Sequence, residues 1–156
     1  MGKSNSTNDT CEKPLPRIPV EKRLFRNLKR AHDSLHVKAY KLFKPYKITM
    51  GQFDLMETIL LSPDKALSIQ EIALCTVSLQ PNVTRSVGKL EKANLVSCTK
   101  SSNDNRTVMV TLTEEGTRLI SRIQKPLLEL HISQFKNFEY DELISFNNFV
   151  KRIFQK

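Results

Sequence analysis

The residues Ser78 to Val96, SLQPNVTRSVGKLEKANLV, place their polar groups as a groove-reading helix would. At roughly 100° per residue, Pro81, Asn82, Arg85, Gly88, Lys89 and Lys92 fall opposite a narrow apolar stripe of Val83, Val87 and Leu90. Arginine can read guanine and asparagine adenine by bidentate hydrogen bonds in a major groove, while lysine meets phosphates. A solvated basic face is the plainer reading of such a helix taken alone, so its neighbours decide. Downstream, SSNDNRTVMVTL (Ser101 to Leu112) sets a polar, turn-prone tip with one acid and one arginine before an alternating β-branched run. In it Asp104 can pair with Arg106 and fix the direction of the guanidinium.

Other reactive side chains form weaker patterns. His32 and His36 stand one helical turn apart, and His131 lies on a later helix, but spacing alone does not make a metal site and solvent-facing histidines are the expectation. Cys11, Cys75 and Cys98 are too few and scattered for a disulfide framework or a metal knuckle, so reduced thiols are expected. Cys11 lies in the N-terminal tail beside Glu12, which would not lower its pKa; Cys75 reads as a small packed hydrophobe. No catalytic triad, phosphate-cradling glycine loop or carboxylate pair is present, so neither an enzyme nor a cofactor is expected.

The elements that position these residues follow from periodicity and punctuation. Ser, Asn and Pro content marks 1–19 as a disordered tail. Leu24, Leu28, Ala31, Leu35, Ala39 and Leu42 then predict a long first helix that Lys44-Pro45-Tyr46 stops. Thr49-Met50-Gly51-Gln52 and Ser68-Ile69-Gln70-Glu71 read as capping boxes, opening a second helix that buries Phe53, Met56, Ile59 and Leu60 and a short third carrying Ile72, Ala73 and Leu74. The fourth helix holds the cationic face and ends near Asn94. Leu95 to Lys100 and Thr107 to Leu112 predict a hairpin. Thr113 caps a fifth helix with Leu119, Ile120, Ile123, Leu127 and Leu130, and a sixth amphipathic helix carries Leu143, Phe146, Phe149, Val150 and Phe154. A short capped helix, a turn, a basic helix and a hairpin make the order of a winged helix.

The segment LEKANLVSCTKSSNDNRTVMVTLTEEG resembles the signature of the MarR (multiple antibiotic resistance regulator) family of winged-helix transcription factors. The resemblance rests on Val83-Thr84-Arg85 and Leu90-Glu91-Lys92 in the recognition helix, Asp104-Asn105-Arg106 in the wing, and Leu112-Thr113-Glu114-Glu115-Gly116 at the next helix start. It covers residues 20–156. Two positions depart from the pattern: Ala93-Asn94 replaces the commoner Lys-Gly, which Asn tolerates because it adopts a left-handed cap, and Cys98 to Lys100 lack the arginine often found on the first wing strand. The resemblance implies an obligate homodimer in which the first, fifth and sixth helices of two chains interleave, spacing two recognition helices on a pseudopalindromic operator, with a small-molecule inducer.

The expected fold is therefore mainly α with a small β-hairpin wing (α+β). Residues 20–48 and 113–156 would form a helical dimerisation region, and 49–112 a winged helix-turn-helix lobe. The expected DNA-binding set is Gln80, Pro81, Asn82, Thr84, Arg85, Lys89, Lys92, Asp104 and Arg106. A net charge of +9, from 25 Lys and Arg against 16 Asp and Glu, fits a polyanionic partner. With no signal peptide and no run of eighteen apolar residues, a cytoplasmic protein without a membrane span is expected. The function that follows is a sequence-specific transcriptional regulator, a repressor released by a small ligand. The alternatives are a nonspecific nucleoid-type DNA-binding protein, a protein-interaction module whose basic faces meet an acidic partner, and a thiol-based redox-sensing regulator.

Overall fold

A computed structural model describes residues 18–75, 83–100 and 106–154. The elements run α1 (Val20–Phe43), a 3-10 turn (Lys44–Tyr46), α2 (Met50–Leu61), β1 (Ala66–Ser68), α3 (Ile69–Cys75), α4 (Val83–Lys92), β2 (Val96–Lys100), β3 (Val108–Leu112), α5 (Glu114–Gln134) and α6 (Tyr140–Phe154). The chain divides into two compact units between His36 and Val37. In the first, all of α1 up to His36 is exposed except the half-buried Leu28 and Leu35.

The second unit starts from the local signals that the sequence carries. At the head of α2, the Gln52 backbone N–H donates to Thr49 Oγ1 at 3.2 Å, and the Thr49 N–H donates to Gln52 Oε1 at 2.9 Å. The same reciprocal pair joins Ser68 and Glu71 at the head of α3, so both capping boxes form as spelled. Phe43, Phe53, Leu55, Met56, Ile59, Ile72, Leu90, Ile120 and Ile123 make up the largest fully buried side chains together with Val96 and Val110. Phe43 and Phe53 meet with ring centroids 5.4 Å apart, and the Arg122 guanidinium lies 5.9 Å from the centre of the Tyr46 ring.

Three antiparallel strands in the order β1-β3-β2 lie beside the helices. Val96 pairs with Leu112 and Lys100 with Val108 in the expected hairpin. A third strand, β1, beyond the expected hairpin adds Ala66 to Ser68 to the outer edge of β3. A further correction concerns α3. Seven residues long, it buries Ile72 alone; Leu74 is 85% exposed and Cys75 is exposed too, not packed as a small hydrophobe.

α6 forms as expected but buries none of its residues. Ile144, Phe146, Phe149, Ile153 and Phe154 all stand exposed, Phe154 by 69%. Phe135, Leu143, Phe146, Asn147 and Val150 line an open apolar cleft of about 270 Å³ at the α5–α6 junction.

Asp54, half-buried on α2, has its pKa raised to about 6 by burial, with the Glu57 carboxylate adding to the rise and His131 opposing it. A carboxyl with a folded-state pKa above its unfolded value near 3.8 contributes stability that is fully present below pH 3.8 and is lost as pH rises through 6. Asp54→Asn should therefore stabilise the protein at pH 7.5, by up to about 1 kcal/mol after allowance for solvent screening, and bring no gain at pH 3.5. Urea denaturation at the two pH values checks this; equal effects at both would show that Asp54 does not titrate in this range.

Candidate nucleic-acid interface

α4 is held by Val83, Val87 and Leu90, which are buried in the core. The opposite face carries Thr84, Arg85, Lys89 and Lys92, all exposed. Gly88 sits in the middle of that face, and a Cβ built there would meet nothing within 4 Å. Gln80, Pro81, Asn82 and Asp104 fall outside the described residues. Arg106 is exposed at the approach to β3. Of the expected set, the structure thus brings four side chains onto one helix face and puts Arg106 on the hairpin.

The end of α4 is built with unusual economy of groups. Asn94 takes the left-handed conformation (φ 56°), and the Leu95 N–H donates back to Leu90 O at 2.9 Å, closing a Schellman motif. The Thr113 hydroxyl then donates to Asn94 O at 2.7 Å and accepts from the Gly116 N–H at 3.0 Å. The Thr113 backbone N–H donates to Leu95 O at 3.2 Å. One threonine so ties the C-terminus of α4 to the N-terminus of α5, and β2 leaves from the same point. Thr113 is legible in the sequence as a helix cap; its second bond, to a carbonyl nineteen residues earlier, has no local signal.

Among the described residues Cys75 and Cys98 are both free thiols, Cys75 exposed and Cys98 half-buried. Burial, together with hydrogen bonding to and the charge of the neighbouring Glu91 carboxylate, pushes the Cys98 thiol up to about 11, so its nucleophilic thiolate is scarce at neutral pH. Cys11 lies outside the described residues. His32 and His36 stack with centroids 5.8 Å apart, and His32 Nδ1 lies 3.3 Å from Asp33 Oδ1. No group of three or more His, Cys, Asp or Glu among the described residues could hold a metal ion. No helix among them is long and apolar enough to cross a membrane.

A basic helix anchored against a three-stranded winged sheet matches a known family. Residues 38–123 fit the family model described as transcriptional regulator SarA/Rot. The chain belongs to the SarA/Rot regulators, a MarR-like winged-helix family. Curated relatives of this regulator include the HTH-type transcriptional regulator SarZ of Staphylococcus aureus, 25% identical over 130 residues that span 76% of this chain and 85% of SarZ. Another is FarR of Neisseria gonorrhoeae, 33% identical over 93 residues. That match takes in 60% of this chain and 62% of FarR, so the chain spans less than two thirds of that relative's length. Among solved structures, BpsR of Bordetella bronchiseptica superposes with a TM-score of 0.81 at 18% identity, over 90% of this chain and 99% of BpsR. A MarR mutant from E. coli complexed with operator DNA gives 0.78 at 21%, over 90% of this chain and 100% of MarR. At these identities the superpositions show the fold, a MarR-type winged helix. As a member of the SarA/Rot family, the protein is a transcriptional regulator of the MarR-like winged-helix type.

Proposed function

We propose that the protein is a homodimeric, sequence-specific regulator that binds a pseudopalindromic operator, represses from it, and is released by a small ligand. The observation that carries this reading is the exposed face of α4, with Thr84, Arg85, Lys89 and Lys92 backed by three buried aliphatic residues. Gly88 supports it: glycine costs a helix about 1 kcal/mol relative to alanine, no neighbour among the described residues requires it, and its missing side chain lets a duplex approach closely. On the sequence alone, Gln80, Pro81, Asn82, Asp104 and Arg106 are assigned to the same DNA contacts, with Arg106 as the minor-groove probe.

Dimerisation by 20–48 and 113–156, with 49–112 as the DNA-binding lobe, is supported by the apolar surface of α6 and the open cleft beside it. Contiguous exposed apolar side chains of this kind mark interfaces. Solved structures of the same fold support the operator and ligand parts of the reading: the MarR mutant is complexed with operator DNA, and DNA binding by BpsR is regulated by 6-hydroxynicotinic acid. Repression, ligand release and a cytoplasmic site of action are carried over from the MarR resemblance.

Fluorescence anisotropy on an operator duplex and its scrambled counterpart, across a salt series, tests the reading. Arg106→Ala should weaken operator binding by about 1–3 kcal/mol per half-site while changing folding free energy by less than about 0.5 kcal/mol. Arg85→Ala should relax base preference at one defined position of each half-site. Equal affinity of the parent for operator and scrambled DNA would instead indicate a nucleoid-type binder, and parental binding by Arg106→Ala would remove the hairpin from the interface.

A further inference from the structure

α2 and α5 meet at three titratable side chains. Asp54 and Glu57 lie three residues apart on α2, so their carboxyls are neighbours on one face. Both are half-buried. On α5, Ile120, Ile123 and Leu127 form the buried stripe, and His131, half-buried as well, continues it one turn further. His131 is near enough for its charge to act on Asp54, and its Nδ1 lies 3.3 Å from Gln134 Oε1 on its own helix. Among the described residues neither a hydrogen bond nor a salt bridge meets the Asp54 carboxyl.

The charged groups on the other elements packed against α2 are engaged elsewhere or turned to solvent. β1 and β3 carry no titratable side chain. On α3, Glu71 accepts from the Ser68 N–H at 2.7 Å, and Cys75 is exposed. On α4, Arg85, Lys89 and Lys92 stand on the outer face, and Glu91 is hydrogen-bonded with Cys98. Elsewhere on α5, Arg118 pairs with Glu114 and Glu115, Arg122 lies over Tyr46, and Lys125 and Glu129 are exposed. The end of α1, which reaches α2 through Phe43 and Phe53, exposes Lys38, Tyr40 and Lys41. Asp54 thus holds its proton to a higher pH than an ordinary carboxyl, because burial and Glu57 outweigh His131.

We infer that Asp54, Glu57 and His131 form a proton-operated latch between α2 and α5, by which acidification strengthens operator binding. The inference rests on the operator-binding reading above and names a signal for it. With Asp54 protonated, α2 and α5 seat against each other without opposing charges. Ionised, Asp54 sets a second carboxylate beside that of Glu57 in a partly desolvated joint, and displacement of α5 from α2 relieves the repulsion. α5 does not move alone: Thr113 at its start is bonded to the Asn94 and Leu95 carbonyls at the end of α4. The reading face of α4 therefore shifts with α5, and its fit to a duplex worsens.

The test uses the full chain and a duplex selected for binding from a random pool, with anisotropy measured at one salt concentration and two pH values. At about pH 7.5 Asp54→Asn should bind the duplex roughly three- to tenfold more tightly than the parent, below the ceiling of about a hundredfold set by a pKa moved from 3.8 to about 6. At about pH 5, where the parent carries the proton, the two should bind nearly alike. Carbon-13 NMR of the Asp54 carboxyl supplies a readout that a purely structural role would not move. Its titration midpoint should fall in Glu57→Gln and rise in His131→Gln. An affinity ratio of variant to parent that is the same at both pH values, or a midpoint that neither neighbour moves, overturns the inference. A parent that fails to enrich any duplex sequence overturns the operator reading and with it the affinity effect, while the NMR midpoints still decide whether the three groups are coupled.

Discussion

Deletion of Asp141 to Lys156 should convert the protein to a monomer, leave the winged lobe folded, and reduce operator affinity by roughly 10²- to 10⁴-fold. The lobe survives because α6 buries none of its own residues and contributes none to the core. What the deletion removes is the exposed row of Ile144, Phe146, Phe149 and Ile153, which only a second chain can cover in the proposed dimer. The affinity loss follows from bivalency: with two linked recognition helices the second half-site is engaged at high effective concentration, and a monomer forfeits that factor without losing a single contact of its own. Sedimentation velocity reads the assembly state and anisotropy the affinity. A truncated chain that remains dimeric, or that binds operator as the parent does, would refute the proposed role of the terminal helix.

Gly116→Ala should destabilise the protein by about 1–3 kcal/mol, although alanine is the better helix former by about 1 kcal/mol. Propensity and sterics oppose each other here, and sterics win. A Cβ at position 116 would run into the Leu95 carbonyl oxygen, with the Leu95 carbonyl carbon at 3.0 Å and Leu112 Cδ2 at 3.3 Å. The first two are backbone atoms held by the Thr113 N–H and by the Schellman closure at Asn94, so nothing flexible can move aside. Chemical denaturation gives the free energy. A variant as stable as the parent would mean that α5 can retreat from Leu95, and the tight joint would then carry no constraint.

The parts of the fold that were legible in the sequence are those with a local chemical signature. Thr49 with Gln52, Ser68 with Glu71, and Thr113 each announce a helix start because one side chain must satisfy a backbone N–H three residues away. Asn94 could be read as a left-handed cap because its side chain tolerates that conformation. β1 had no such signature. Three residues are too short to show alternation, and Ala66 to Ser68 become a strand only by pairing with Thr111, Val110 and Met109, far along the chain. Cys75 stands exposed instead of packed because a seven-residue helix makes two turns and presents a single residue, Ile72, to the core. In the site, the cationic face of α4 followed from helical periodicity alone.

The joint at Asn94, Leu95, Thr113 and Gly116 has a consequence for how such a protein would respond to a signal. α4, the first strand of the wing and α5 leave one hydrogen-bonded knot, so any displacement of α5 carries the reading helix and the wing with it as a single tool. A disturbance of that kind changes how often the tool fits its groove, and leaves unchanged which bases it favours when it does. Across a chromosome, promoters would then be vacated in order of their affinity as the disturbance grows, weakest first, while the consensus shared by the sites still occupied stayed the same.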